Sequence, residues 1–139
     1  MECDVIVLNK TQVDELEISL EEFDLKNIGY KISNDINIGL KIKEKIIAGI
    51  CASVTAYKIL YVSTVFVDEE YRGKGIGKKI MEILENKAKE IGVNTIRLDS
   101  FNWQGCEFYK KMGYEICGEY KNEIDGFSEY FFIKKLFDK

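Results

Sequence analysis

The chain has no histidine and no proline, and Arg72 and Arg97 are the only arginines among its 139 residues. Without histidine there is no Ser-His-Asp triad, no Cys-His pair and no histidine-ligated zinc or haem. Acid–base work is left to Glu, Asp, Tyr, Lys, Cys or bound water. Apolar runs such as Ile46 to Ala52 fall far short of the ~20 residues that cross a bilayer. The start Met-Glu-Cys-Asp lacks the basic region of a signal peptide, so a cytoplasmic location is expected. The four cysteines, Cys3, Cys51, Cys106 and Cys117, include no C-x-x-C spacing, and no metal site is expected. Cys51, Cys106 and Cys117 read as small buried hydrophobes, and a nucleophilic Cys106 would have no histidine base. A net charge of −4 argues against a basic nucleic-acid-binding surface, so neither nucleic acid nor membrane is an expected partner.

What is present suits one globular domain over residues 1–139. Apolar residues at 46% supply a core, and charged residues at 32% supply a surface. Residues 4–8 predict a short strand. Thr11 predicts a helix cap, with the helix running from Gln12 and fading near Asn27-Ile28-Gly29. Residues 36–43, 46–56 and 59–67 predict three successive antiparallel strands. The third is apolar on both faces, as a covered central strand would be. Ile76, Ile80, Ile83, Leu84, Ala88 and Ile91 recur at helical spacing, so 75–91 predicts a helix closed by Gly92. A strand over 94–100, a short helix over 104–112 and a hairpin over 114–121 and 127–136 follow, with Asp125-Gly126 as its turn. Strand–helix–strand from 59 to 100 makes a βαβ unit with those two strands parallel. The fold class is α+β (mixed α/β): a mixed central sheet of about seven strands with helices on both faces.

The segment Asp68-Glu69-Glu70-Tyr71-Arg72-Gly73-Lys74-Gly75-Ile76-Gly77-Lys78 carries the chemistry. It joins an apolar strand to the strongest helix. A helix start offers unpaired N–H groups and the positive end of the macrodipole. Glycines admit a phosphate to the backbone, and Arg72, Lys74 and Lys78 add positive charge. The expected ligand is a pyrophosphate. The spacing fits neither a P-loop nor a dinucleotide fingerprint: Arg72 stands where the P-loop's first glycine belongs, and Lys78 where the fingerprint's last one does.

On these residues the chain resembles the GCN5-related N-acetyltransferase (GNAT) superfamily. Its signature Gln/Arg-x-x-Gly-x-Gly/Ala is matched by Arg72, Gly75 and Gly77. Asn102, Tyr109, Gly113 and Tyr114 match a second family segment, and together the two cover roughly residues 59–120. The resemblance implies a three-layer fold in which strands 59–67 and 94–100 splay around acetyl-CoA as cosubstrate. Backbone groups of Val65, Phe66 and Val67 would hold the pantetheine arm. Arg72, Gly73, Lys74, Gly75, Ile76, Gly77 and Lys78 would hold the pyrophosphate, and Asn102 would support the cofactor's far side. It further implies acetyl transfer by direct attack of a primary amine in a ternary complex. The acceptor would be a small molecule or a peptide, and homodimers are common in such folds. The Val67 N–H would stabilise the oxyanion and Tyr109 would protonate the departing thiolate.

The base is where the chain departs from the pattern. Many relatives carry a carboxylate where Ser63 stands. Glu69, Glu70, Asp99 and Glu119 are candidates, alongside a water chain ordered by Ser63. Phe101 and Trp103 would line the acyl or acceptor pocket or pack the core. Glu123 and Asp125 would border the acceptor site or form a solvated turn. The alternative function is a non-catalytic acyl-CoA-binding module of the same fold.

Overall fold

The computed structural model describes residues 1–29, 32 and 34–137. Two units are described separately, residues 1–31 and 32–139. The first holds α1 (Lys10–Leu25). Its N-cap is Asn9, two residues before the expected Thr11. The Asn9 side chain accepts from the Gln12 N–H at 2.9 Å, and the Gln12 side chain accepts from the Asn9 N–H at 3.0 Å. This reciprocal capping box satisfies two donors that a threonine cap would leave to water. Residues 4–8 form no strand, because an apolar run becomes one only when a neighbour takes its backbone groups. The sheet therefore has six strands rather than seven.

The second unit runs β1 (Asp35–Ile42), β2 (Lys45–Ala56), β3 (Ile59–Val67), a 3₁₀ turn (Glu69–Tyr71), α2 (Ile76–Glu90), β4 (Thr95–Phe101), α3 (Cys106–Lys111), β5 (Glu115–Asn122) and β6 (Phe127–Lys135). The sheet order is β1-β2-β3-β4-β6-β5; β3 and β4 are parallel and the other neighbours antiparallel. The β5–β6 turn takes four residues, 123–126, rather than Asp125-Gly126 alone. Asn122 Oδ1 accepts from the Asp125 N–H, and Gly126 supplies the positive φ.

One sheet face carries the core. Leu60 and Val62 of β3, Ile96 and Leu98 of β4, and Phe132 of β6 are buried with Ile80, Met81, Leu84 and Ala88 of α2. Tyr109 of α3 joins this core, its ring 5.8 Å from that of Phe132. Alternation places Tyr61, Arg97 and Asp99 on the opposite face. Cys51 and Cys117 are exposed rather than buried. Cys106 is half-buried, with Sγ 3.5 Å from the Phe101 carbonyl oxygen.

β3 does not keep one register against β2. Thr64 stands opposite Cys51 and Val62 opposite Ala52, so Ser63 is an extra residue. This bulge shifts the alternation: Val65 and Val67 return to the core side, opposite Ile50 and Ala48. The apolar pattern of β3 is thus two half-strands in different phase. Its second half is not covered on both sides as expected; Ser63, Thr64 and Phe66 are exposed.

Candidate active site

Parallel pairing between β3 and β4 runs from Ile59–Thr95 to Val62–Leu98 and stops there. Beyond that point β3 continues along β2 to Val67, while β4 continues along β6 to Phe101. Two strands that each stay with their outer neighbour must part from one another, and they part at the Ser63 bulge. A bulge bends and twists its strand, which is the local cause of the separation. The gap opens a cleft of about 1100 Å³.

Most of the expected site residues meet in this cleft. Val65, Phe66 and Val67 line it from β3, and Arg72, Gly73, Gly75, Ile76, Gly77 and Lys78 from the loop and first turn of α2. Tyr109 lines it from α3, and Trp103 from the β4–α3 loop. Two do not join them. Lys74 is not part of the lining; its ammonium lies over the Tyr71 ring, 5.5 Å from the centroid. Asn102 lines a separate hollow of about 310 Å³, and its side chain accepts from the Ser128 N–H at 2.9 Å. Asn102 thereby joins the end of β4 to the start of β6.

The loop geometry explains the glycines individually. Gly73 and Gly75 have φ of 75° and 80°, and a Cβ at either would meet nothing within 4 Å. Their role is conformational, and they leave open space above the backbone. Gly77 differs: its φ is not positive, and a Cβ there would come into van der Waals contact with the Phe108 ring at 3.4 Å. Gly75 is the N-cap of α2 and brings no side-chain cap. The first N–H groups of the helix therefore remain available to an anion.

The strand-to-loop corner is braced. Asp68 accepts from the Glu70 N–H at 3.1 Å and pairs with Lys45 at 3.0 Å. That lysine holds the Asp68 carboxyl below its ordinary range. Arg72 Nε donates to the Val67 carbonyl at 2.8 Å, and its guanidinium lies 5.5 Å from the Phe66 ring centroid. Its terminal nitrogens have no hydrogen-bond partner among the described residues. Arg72 thus ties the loop to the end of β3 while presenting charge to the cleft.

Tyr109 is 9% exposed and packed by the rings of Phe108, Tyr114 and Phe132. Its hydroxyl has no hydrogen-bond partner among the described residues. Burial, with a smaller contribution from Cys106, pushes its pKa up to about 12. A phenol in this state keeps its proton and has it free to donate.

The candidate bases separate clearly. Glu69 and Glu70 are exposed and outside the cleft, and Glu119 is exposed and bonded to Tyr130. Ser63 lines the cleft, but its hydroxyl donates to the Cys51 carbonyl at 3.2 Å. Asp99 lines the cleft and accepts from the Tyr61 hydroxyl at 2.8 Å. The Phe101 and Trp103 rings stack at 4.8 Å, with Trp103 64% exposed, so the pair is a surface feature rather than core.

The acetyltransferase (GNAT) family model matches residues 8–114. An acetyltransferase of Agrobacterium fabrum is 28% identical over 99 residues, covering 71% of this chain and 72% of the relative. An acetyltransferase crystal structure from Bacillus cereus superposes with a TM-score of 0.84 at 27% identity, covering 96% of this chain and 97% of that one. A streptothricin acetyltransferase from Bacillus anthracis, crystallised with acetyl coenzyme A, shares the fold at a TM-score of 0.66 and 24% identity, over 73% of this chain and 62% of that one. With its splayed parallel strands, its uncapped glycine-led helix and its match over most of the sequence, the chain belongs to the GNAT acetyltransferase family.

Proposed function

We propose that the protein transfers an acetyl group from acetyl-CoA directly to a primary amine. The observation that carries this reading is the single cleft that joins the start of α2 to the free hydroxyl of Tyr109. One end offers N–H groups and cations suited to a pyrophosphate. The other offers a protonated phenol suited to a leaving thiolate. Between them runs the stretch of β3 released from β4, where the Val67 N–H is the proposed oxyanion donor and Val65 and Phe66 the proposed pantetheine contacts. The sequence has no histidine to activate a thiol or a serine, which favours attack by the amine itself over a covalent intermediate.

Within this reading Arg72, Gly73, Gly75, Ile76, Gly77 and Lys78 hold the pyrophosphate, and Lys74 adds long-range charge. Asn102 acts at one remove, by fixing β4 against β6. The acceptor is an amine on a small molecule or a peptide. Calorimetric titration with CoA, followed by thiol release from acetyl-CoA across a panel of amines, tests the proposal. Micromolar CoA binding with amine-dependent thiol release is the expected result. CoA binding without transfer to any amine would favour a binding module instead.

A further inference from the structure

The cleft passes between two strands of a sheet and is lined by residues from both of its faces. Leu98 and Ser100 face the side of α2 and α3, where Tyr109 lies. Asp99, between them in sequence, points to the other side. Both Asp99 and Tyr109 line the same cavity. A proton acceptor and a proton donor thus reach one space from opposite faces.

Asp99 is held for this purpose. Its Oδ2 accepts from the Tyr61 hydroxyl at 2.8 Å, and Oδ1 has no partner among the described residues. Tyr61 is held in turn by Arg97, whose guanidinium lies 4.4 Å from the ring centroid. The hydrogen bond to Asp99 raises the Tyr61 pKa, so the phenol remains a donor. Tyr61 stands before the Ser63 bulge, where β3 and β4 still pair; Asp99 stands just beyond the last pair, Val62–Leu98. The strand separation that opens the cleft therefore frees the Asp99 edge while Tyr61 stays anchored. Besides Asp99, the charged groups acting on Tyr61 among the described residues are Arg97 of β4 and Glu129 of β6.

Resting on the acetyl-transfer reading above, we infer that Asp99 is the general base that deprotonates the acceptor amine, and that Tyr61 is its positioning residue. The acceptor enters as an ammonium from the Asp99 face and gives one proton to Oδ1. The freed lone pair forms the C–N bond at the thioester carbonyl, and the C–S bond breaks as the tetrahedral intermediate collapses. The nitrogen's surplus proton leaves to solvent, the thiolate takes the Tyr109 proton, and water restores Tyr109. Asp99 returns its proton to solvent. The carboxylate missing at Ser63 is thus supplied from the neighbouring strand, across the gap.

The test uses the full chain and an amine that the wild type acetylates. Asp99→Asn, which preserves shape, should lower kcat at pH 7 by about 100-fold and leave the calorimetric Kd for CoA unchanged. The deficit should shrink more than tenfold toward pH 10, where the amine sheds its proton unaided. Asp99→Glu should restore part of the rate, and Tyr61→Phe should displace the acidic limb of the pH profile without changing CoA affinity. An Asp99→Asn enzyme within twofold of wild type, with an unchanged pH profile, overturns the inference while leaving acetyl transfer intact. Loss of CoA binding in step with kcat also overturns it, since that would mark a structural role. A wild type that binds CoA but acetylates no amine overturns both the inference and the reading beneath it.

Discussion

The Tyr114 hydroxyl donates a 2.9 Å hydrogen bond to Glu85 Oε2, joining the residue just before β5 to the middle of α2. Glu85 Oε1 accepts at 2.9 Å from Lys134 of β6, and Lys134 also donates to the Met112 carbonyl at 2.8 Å. One buried carboxylate therefore ties together α2, β6 and the C-terminal end of α3. Since α3 has only six residues, its position depends on such ties more than on its own helical hydrogen bonds. Removing one partner of a buried pair leaves the other uncompensated. Glu85→Ala should cost about 3 kcal/mol in urea unfolding, and Tyr114→Phe about 1 kcal/mol. A loss under 0.5 kcal/mol for Glu85→Ala would show that α3 is held by apolar packing alone.

Tyr109 carries the prediction closest to the chemistry. Tyr109→Phe keeps the ring that packs on Phe132 and removes only the free hydroxyl. It should lower kcat by roughly 10²-fold with little change in acetyl-CoA affinity. Equal turnover by the two proteins on a competent amine would remove Tyr109 from the mechanism.

Alkaline stability follows from the same residue. Burial raises the Tyr109 pKa to about 12, while the unfolded chain titrates near the ordinary 10.0. The unfolded state then binds fewer protons than the native state between those values, so stability falls as pH rises. The stabilisation is complete below pH 10 and is lost through pH 12 at about 1.4 kcal/mol per pH unit for this group. Tyr114, raised by burial and by Glu85, adds to the effect in the same direction. Urea unfolding at pH 9 to 11 should show a shallower decline in Tyr109→Phe than in the wild type. Parallel curves would mean that the phenol ionises in place without cost.

Much of this was legible in the sequence because it rests on local rules. The spacing of Ile76, Ile80, Leu84 and Ala88 marked α2 within a residue, and the β-branched runs marked β1 to β3 nearly as well. The loop from Arg72 to Lys78 was readable because glycine and cation spacing reflects backbone geometry directly. The features that escaped depend on partners far along the chain. A bulge at Ser63 is a mismatch with β2, and nothing in Val62-Ser63-Thr64-Val65 specifies where that partner slips; the polar pair inside an apolar strand was the available sign. The Tyr61–Asp99 bond spans 38 positions and arises from the register of two parallel strands. Asn102 shows the converse. Its spacing to Tyr109 matched the family segment, yet its side chain is engaged by Ser128.

Arg72 combines two functions that substitution can separate. Its Nε bond to the Val67 carbonyl fixes the loop, and its charge faces the proposed pyrophosphate. Lysine keeps the charge but offers no planar fork to bond the carbonyl and the phosphate together. Arg72→Lys should therefore weaken CoA binding about tenfold while preserving most of its salt dependence, because the number of cations near the anion is unchanged. Arg72→Gln should weaken binding further and flatten the salt dependence, because a cation is gone. Titration with CoA at two ionic strengths distinguishes the cases. If Arg72→Lys binds like the wild type and only Arg72→Gln loses affinity and salt dependence, charge alone is at work and the tie to Val67 is incidental. If Arg72→Lys loses affinity yet keeps its salt response, the carbonyl bond is what holds the loop in its anion-binding shape.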